Sequence, residues 1–154
     1  MRGAAIAAAT IAVLEAGCQS TVDRSGPESE PALLRTAAAE LRQGDLEQAQ
    51  SDYARARTEL PTSAAAWVGF GEASYRLFQA CVADPRRGNA LFYLQDAESG
   101  FRRGVELDPK SAAGYLGLSR VARERGDGAE AAKLAQNARI GSSAARPPSS
   151  DMRS

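Results

Sequence analysis

Gly44-Asp45-Leu46-Glu47-Gln48-Ala49-Gln50-Ser51-Asp52-Tyr53-Ala54-Arg55-Ala56, followed by Pro61, is the stretch on which the fold turns. A glycine that accepts a left-handed backbone and an aspartate suited to a helix N-cap mark a tight turn. The helix that follows places a small residue at 49, an aromatic at 53 and a small residue at 56, all on one face. Working outward, Leu33-Leu34-Arg35-Thr36-Ala37-Ala38-Ala39-Glu40-Leu41-Arg42-Gln43 reads as the helix before the turn. The same plan returns twice downstream. A second unit carries Trp67, Phe70 and Gly71, then Ala97, Phe101, Gly104 and Pro109; a third carries Tyr115, Leu118 and Ser119, the turn Arg125-Gly126-Asp127, then Ala131, Ala135 and Ala138. Small residues such as Ala49, Ala97 and Ala131 let paired helices approach closely, while Tyr53, Trp67 and Phe101 fill the space between pairs. One pair cannot bury its apolar face, and three stacked pairs bury a continuous core.

Composition agrees with an all-helical reading. The 154 residues include 32 Ala, 17 Arg and two Lys, with only 6% aromatic residues, so the apolar fraction is dominated by a small helix former. With no His in the chain, Ser-His-Asp and Cys-His catalysis, His-ligated metals and His pH switching are excluded. No metal-ligand cluster, phosphate-cradling Gly loop or nucleophile with a neighbouring base is recognisable, so no enzyme, metal or cofactor is expected. Nineteen basic against nineteen acidic side chains, without a basic stripe interleaved with aromatics, argue against nucleic acid as a partner.

The three units resemble the tetratricopeptide repeat, whose unit reads W-x2-L-G-x2-Y, then A-x3-F, A and P. Ala49, Tyr53, Ala56 and Pro61 hold the A, F, A and P places of the first unit, and Trp67, Phe70 and Gly71 open the second. The resemblance covers about 110 residues. It implies an all-α, right-handed α-solenoid of about three helix-turn-helix units, working as a protein-protein interaction adaptor. It also implies a concave groove lined by the first helix of each unit. The family's groove positions fall on Leu34, Ala38, Leu41 and Arg42, on Val68, Glu72, Tyr75 and Arg76, and on Leu116, Arg120, Arg123 and Glu124. Such a groove suits a peptide with apolar anchors and a carboxylate that Arg clamps through paired hydrogen bonds. Pairing within a helix, Arg120 with Glu124 at i, i+4, is an equally good reading of the arginines. The family's chaperone-tail clamp is not expected, because Leu34 and Ala38 stand where it uses Lys and Asn.

The middle unit is irregular. From Ala64 to Ala97 is 33 residues, whereas the matching interval from Glu30 to Ala49 is 19. The turn at Asp84-Pro85-Arg86-Arg87-Gly88 splits the excess of 14 into about seven residues per helix, roughly 10 Å each. A projecting hairpin follows, carrying Phe78, Cys81, Val82, Leu91, Phe92, Tyr93 and Leu94. These side chains either pack the two helices on each other or, through Phe78, Phe92 and Tyr93, present a contact site.

The ends read differently. Met1-Arg2 precedes an uncharged apolar run from Ala4 to Leu14, then Glu15-Ala16-Gly17-Cys18: a basic start, a short apolar stretch and small residues, as in a secretory leader. At about 1.5 Å per residue the run reaches roughly 17 Å, half a bilayer core. Ala16-Gly17-Cys18 resembles the bacterial lipobox, with Glu15 where that family has Leu, and implies lipidation of Cys18. An ordinary leader cut nearby is the alternative. Residues 1–17 are thus expected as signal peptide, 18–30 as tether, 31–140 as the repeat domain and 141–154, rich in Ser and Pro, as a disordered tail. Gln19 after the Cys resembles outer-membrane sorting. The expected protein is a lipid-anchored adaptor on the periplasmic side of the outer membrane, in envelope assembly or secretion. A soluble periplasmic form is the alternative location, and a truncated repeat segment of a larger enzymatic or signalling protein is the alternative reading of function.

Overall fold

The computed structural model describes residues 29–144. The leader, Cys18, the tether as far as residue 28 and residues 145–154 lie outside the described residues. Six helices follow in order: α1 Ser29–Gln43, α2 Leu46–Glu59, α3 Ala64–Ala83, α4 Ala90–Leu107, α5 Ala112–Glu124 and α6 Gly128–Ala144, with a 3-10 turn at Pro85–Arg87 between α3 and α4. No strand occurs among the described residues, and no helix among them is long and apolar enough to cross a membrane. Helix α6 takes in Gly141 to Ala144, which composition had assigned to the tail.

Local chemistry fixes the helix ends. Gly44 and Gly126 adopt φ of 92° and 81°, and the amides of Asp45 and Asp127 then return to the carbonyls of Glu40 and Ala122 at 3.1 and 2.9 Å. This is the left-handed glycine closure of a helix. Ser63, Asn89 and Ser111 accept from the first-turn amides of Ala66, Leu91 and Gly114, as N-caps do. Asp127 does the same for Glu130.

Each helix packs on the next, and α1 meets α3 and α3 meets α5. The first helices of the three units therefore line one side of an α-solenoid while α2, α4 and α6 back them. Helix α3 is the shared wall. Its Phe70 and Ala73 join Ala37, Leu41, Ala49 and Tyr53 in one core, and its Tyr75 and Phe78 join Leu94, Ala97, Phe101 and Val121 in the next. Glycines set the spacing. A Cβ on Gly69 would collide with the Tyr53 ring, and one on Gly117 with the Phe101 ring. Phe101 is wholly buried. Each aromatic thus precedes its glycine by sixteen residues, one structural repeat of a single aromatic-into-glycine contact.

Helix α3 has 20 residues against 13 in α5, and α4 has 18 against 14 in α2. The middle hairpin is longer, but unevenly: α3 gains the seven residues the spacing predicts for each helix, whereas α4 gains four. Its apolar side chains divide: Phe78, Cys81 and Leu94 are buried, while Val82, Leu91 and Phe92 are 60%, 60% and 55% exposed. Phe78 therefore belongs to the core between α3 and α4, and the contact expected of it is corrected; the tip exposes Phe92 with Leu91 and Val82 instead. Tyr93 is half-buried, its ring edge-on to Phe92 at 5.7 Å. The tip arginines are engaged, Arg86 with Asp84 and Arg87 with Glu47 at the start of α2.

Candidate functional site

The first helices line a cleft of about 580 Å³. Of the groove residues expected from sequence, Leu41, Val68, Glu72, Leu116 and Arg120 line it. Leu116, half exposed, is the prominent apolar side chain on its wall. Leu34 is packed against the first core cluster instead, on the same face of α1 as Ala37 and Leu41. Arg42 and Arg123 are exposed and stand outside the lining.

Beside the cleft the charges form a closed set. Arg120 reaches across from α5 and donates to both oxygens of Glu72 on α3, at 2.5 and 3.4 Å. Arg76, one turn along α3, donates to the same carboxylate at 3.2 Å and to the Leu41 carbonyl of α1 at 3.1 Å. Three first helices are thus tied through one carboxylate. The Arg120 guanidinium lies over the Tyr75 ring, 4.9 Å from its centroid, a cation–π placement. Tyr75 is almost fully buried, and its hydroxyl donates to Glu124 at 2.8 Å. The pairing of Arg120 with Glu124 expected within α5 is therefore replaced: Glu124 serves Tyr75, and Arg120 serves Glu72.

Electrostatics follow from these contacts. Burial alone would raise the Glu72 carboxyl, but the hydrogen bonds and charges of Arg120 and Arg76 outweigh it and hold it below the usual carboxylate range. Burial, reinforced by the bond to Glu124, pushes the Tyr75 hydroxyl up to about 12. A carboxylate clamp built from Arg76 and Arg120 is already filled by Glu72, so the arginines form the frame of the cleft and the apolar wall is what it offers.

The remaining lining lay outside the expected set: Tyr53, Ala64, Ala65, Gly69, Asp108, Ser111 and Ala113. Tyr53 reaches the cleft from α2 because Gly69 leaves room for its ring. The sixteen-residue aromatic-to-glycine interval was the signal that would have found it. Asp108 and Ser111 form the far end, where the α4–α5 loop turns; the Asp108 carboxylate accepts the Lys110 amide at 3.0 Å. Among the described residues no group of three His, Cys, Asp or Glu is arranged to hold a metal.

No protein-family model and no curated protein matches the chain. Among solved structures, the Yersinia enterocolitica type III secretion translocator chaperone SycD, in an alternative dimer, is similar over 79% of this chain and 81% of its own, with a TM-score of 0.63 and 16% identity. The structure titled MamA MSR-1 C2 aligns over 79% of this chain and 82% of its own at 15% identity, with a TM-score of 0.34. The likeness to SycD is one of fold: this chain is an all-α array of paired helices of the tetratricopeptide-like kind.

Proposed function

We propose that the chain is a protein-interaction adaptor that seats a segment of a protein partner in the cleft between α1, α3 and α5. The observation that carries this reading is the cleft itself, apolar at Leu41, Val68 and Leu116 and framed by the Arg76–Glu72–Arg120 set. Because both arginines are already paired, apolar side chains of the peptide supply the affinity, and its backbone supplies the polar contacts. The exposed hairpin tip, with Phe92, is a second contact. The proposal extends to a lipid anchor on Cys18 at the periplasmic face of the outer membrane and to a place in envelope assembly or secretion. The leader pattern supports the anchor, and the fold likeness to a type III secretion translocator chaperone makes a secretion or envelope protein the first partner to try.

The cleft is tested by selecting peptides from a random library on the purified full chain carrying Cys18→Ala. Peptides rich in apolar residues are expected, and they should lose at least about tenfold in affinity on Leu116→Glu, an exposed position whose change leaves the core intact. Equal binding to both forms overturns the cleft reading. The anchor is tested separately in a Gram-negative host: a Cys18-dependent acylated mass in the membrane fraction supports it, and an unmodified, uncut, soluble chain removes it.

A further inference from the structure

We infer that the cleft reads charge as well as apolar surface: it takes a short extended segment whose basic side chain pairs with Asp108 and whose backbone carbonyl accepts from the Tyr53 hydroxyl. The inference deepens the peptide-seat reading above and rests on it. Hydrogen-bonding capacity leads there. Five polar side chains line the cleft: Tyr53, Glu72, Asp108, Ser111 and Arg120. Glu72 and Arg120 hold each other, and the Ser111 hydroxyl accepts the Gly114 amide as the cap of α5. Two are left over. Tyr53 is only 6% exposed, yet its hydroxyl makes no hydrogen bond to any described residue. A tyrosine hydroxyl so deeply set normally has a partner; on the wall of a cleft, that partner is the occupant. Burial raises this hydroxyl above the usual tyrosine range, so it remains a donor at neutral pH, and a peptide carbonyl is the acceptor it lacks.

Charge gives the cleft a direction. The exposed Asp108 side chain accepts the Lys110 amide at 3.0 Å and enters none of the ion pairs among the described residues. It is the charged lining side chain without a countercharge. At the other end Arg76 and Arg120 both attend Glu72. A cation placed there meets two guanidiniums, whereas a cation at Asp108 meets an unpaired carboxylate, and complementarity of this kind fixes orientation more than it adds affinity.

Length follows from the helix that carries both ends. Ser111, beside Asp108, and Arg120 are nine residues apart, a rise of roughly 14 Å along α5. An extended chain covers that in about four residues. Val68 and Leu116 stand one turn before Glu72 and Arg120 and supply the wall between the two ends, and the Tyr53 ring lies against Gly69 next to Val68. The fitting segment therefore has one basic residue at the Asp108 end and about three apolar residues beyond it, its backbone within reach of the Tyr53 hydroxyl.

The experiment is a methyl NMR titration of the full chain carrying Cys18→Ala with three pools of hexapeptides, random in Ala, Val and Leu and bearing one Lys, Gln or Glu at either end. Acetyl and amide caps leave that side chain as the only charge. The Lys pool is expected to shift the Leu116 methyls and to bind about threefold to fivefold more tightly than the Gln pool, with the Glu pool weakest. Added salt should narrow the preference. Asp108→Asn keeps an acceptor for the Lys110 amide and should erase the preference without changing affinity for the Gln pool. Tyr53→Phe keeps the ring against Gly69 and should weaken all three pools about threefold to tenfold, at an unchanged denaturant midpoint. Equal affinity for the three pools, a Lys preference that survives Asp108→Asn, or affinities indifferent to Tyr53→Phe overturn the inference. The apolar seat stands in each of those cases, provided that Leu116→Glu weakens binding. No binding of any pool at millimolar concentration overturns the seat and the inference together. Leu116 shifts that follow protein concentration without peptide assign the cleft to a second copy of the chain and overturn the inference as well.

Discussion

Glu72 on α3 and Arg120 on α5, 48 residues apart in sequence, are joined by two hydrogen bonds that set the width of the cleft. Arg76 completes the set from one turn away and bonds the end of α1. A half-exposed ion pair contributes little by itself. This one also fixes the relative placement of three helices, and removing its shared carboxylate leaves two guanidiniums without that partner.

Glu72→Gln should therefore destabilise the chain by about 1–3 kcal/mol, read as a lower denaturant midpoint with an unchanged slope. The pH dependence has a definite sign. The folded carboxyl is held below its ordinary value, so its contribution is present above the unfolded range near 4.3 and is lost as the pH falls through the folded value. Wild type should lose stability on acidification more steeply than Glu72→Gln. A parallel pair of curves would remove the ion-pair account of the cleft.

Glu40 has the opposite sign. It faces Asp52 across the α1–α2 interface, and its Oε2 is closed off from solvent without a hydrogen-bond partner. Burial pushes its carboxyl up, and the neighbouring Asp52 adds to the shift. Its protonated form is the one the fold favours, so stability is full below the ordinary carboxylate range and declines as the pH rises through the folded value. Glu40→Gln should flatten that decline and raise the melting temperature at neutral pH. Hydrogen exchange, corrected for intrinsic rates, should show α1 amides losing protection as the pH rises from the acid side of the carboxylate range to neutrality in wild type, with that loss flattened in the variant.

The aromatic-into-glycine contacts give a third test. At Gly69 and Gly117 the facing atoms are rings held in the core, Tyr53 and Phe101, which cannot swing aside as an exposed side chain would. Gly69→Ala and Gly117→Ala should each cost about 1–3 kcal/mol through overpacking, although Ala is the better helix former. Gly128, at the start of α6 with nothing within 4 Å of a built Cβ, is the control; Gly128→Ala should be neutral or slightly stabilising.

Why the sequence disclosed the array but only part of its cleft follows from these residues. Turn chemistry is local, so Gly44-Asp45 and Gly126-Asp127 marked helix ends directly. The core aromatics Tyr53 and Phe101 were visible by spacing alone. Partner choice among charges is not local: Arg120 has Glu124 one turn away in its own helix and Glu72 on another. Superposing the helices decides for Glu72, because Tyr75 occupies Glu124. The inward turn of Leu34 and the place of Asp108 in the lining likewise depend on how neighbouring helices meet.

The hairpin supplies the last test, because two of its aromatics have opposite surroundings. Phe78 is 9% exposed, and its ring is tilted against Tyr75 with centroids 5.8 Å apart. Phe92 is 55% exposed and touches the ring of Tyr93. Phe78→Ala removes a core side chain between α3 and α4 and should cost about 3–5 kcal/mol. Phe92→Ser removes apolar area that water already reaches, so its cost should stay within about 0.5 kcal/mol. Chemical denaturation of the two variants checks both values. A contact role for the tip then requires Phe92→Ser, in a protein as stable as wild type, to weaken binding of a partner that Leu116→Glu leaves bound through the tip. A large stability loss on Phe92→Ser would instead place that ring in the core and leave the hairpin as packing alone.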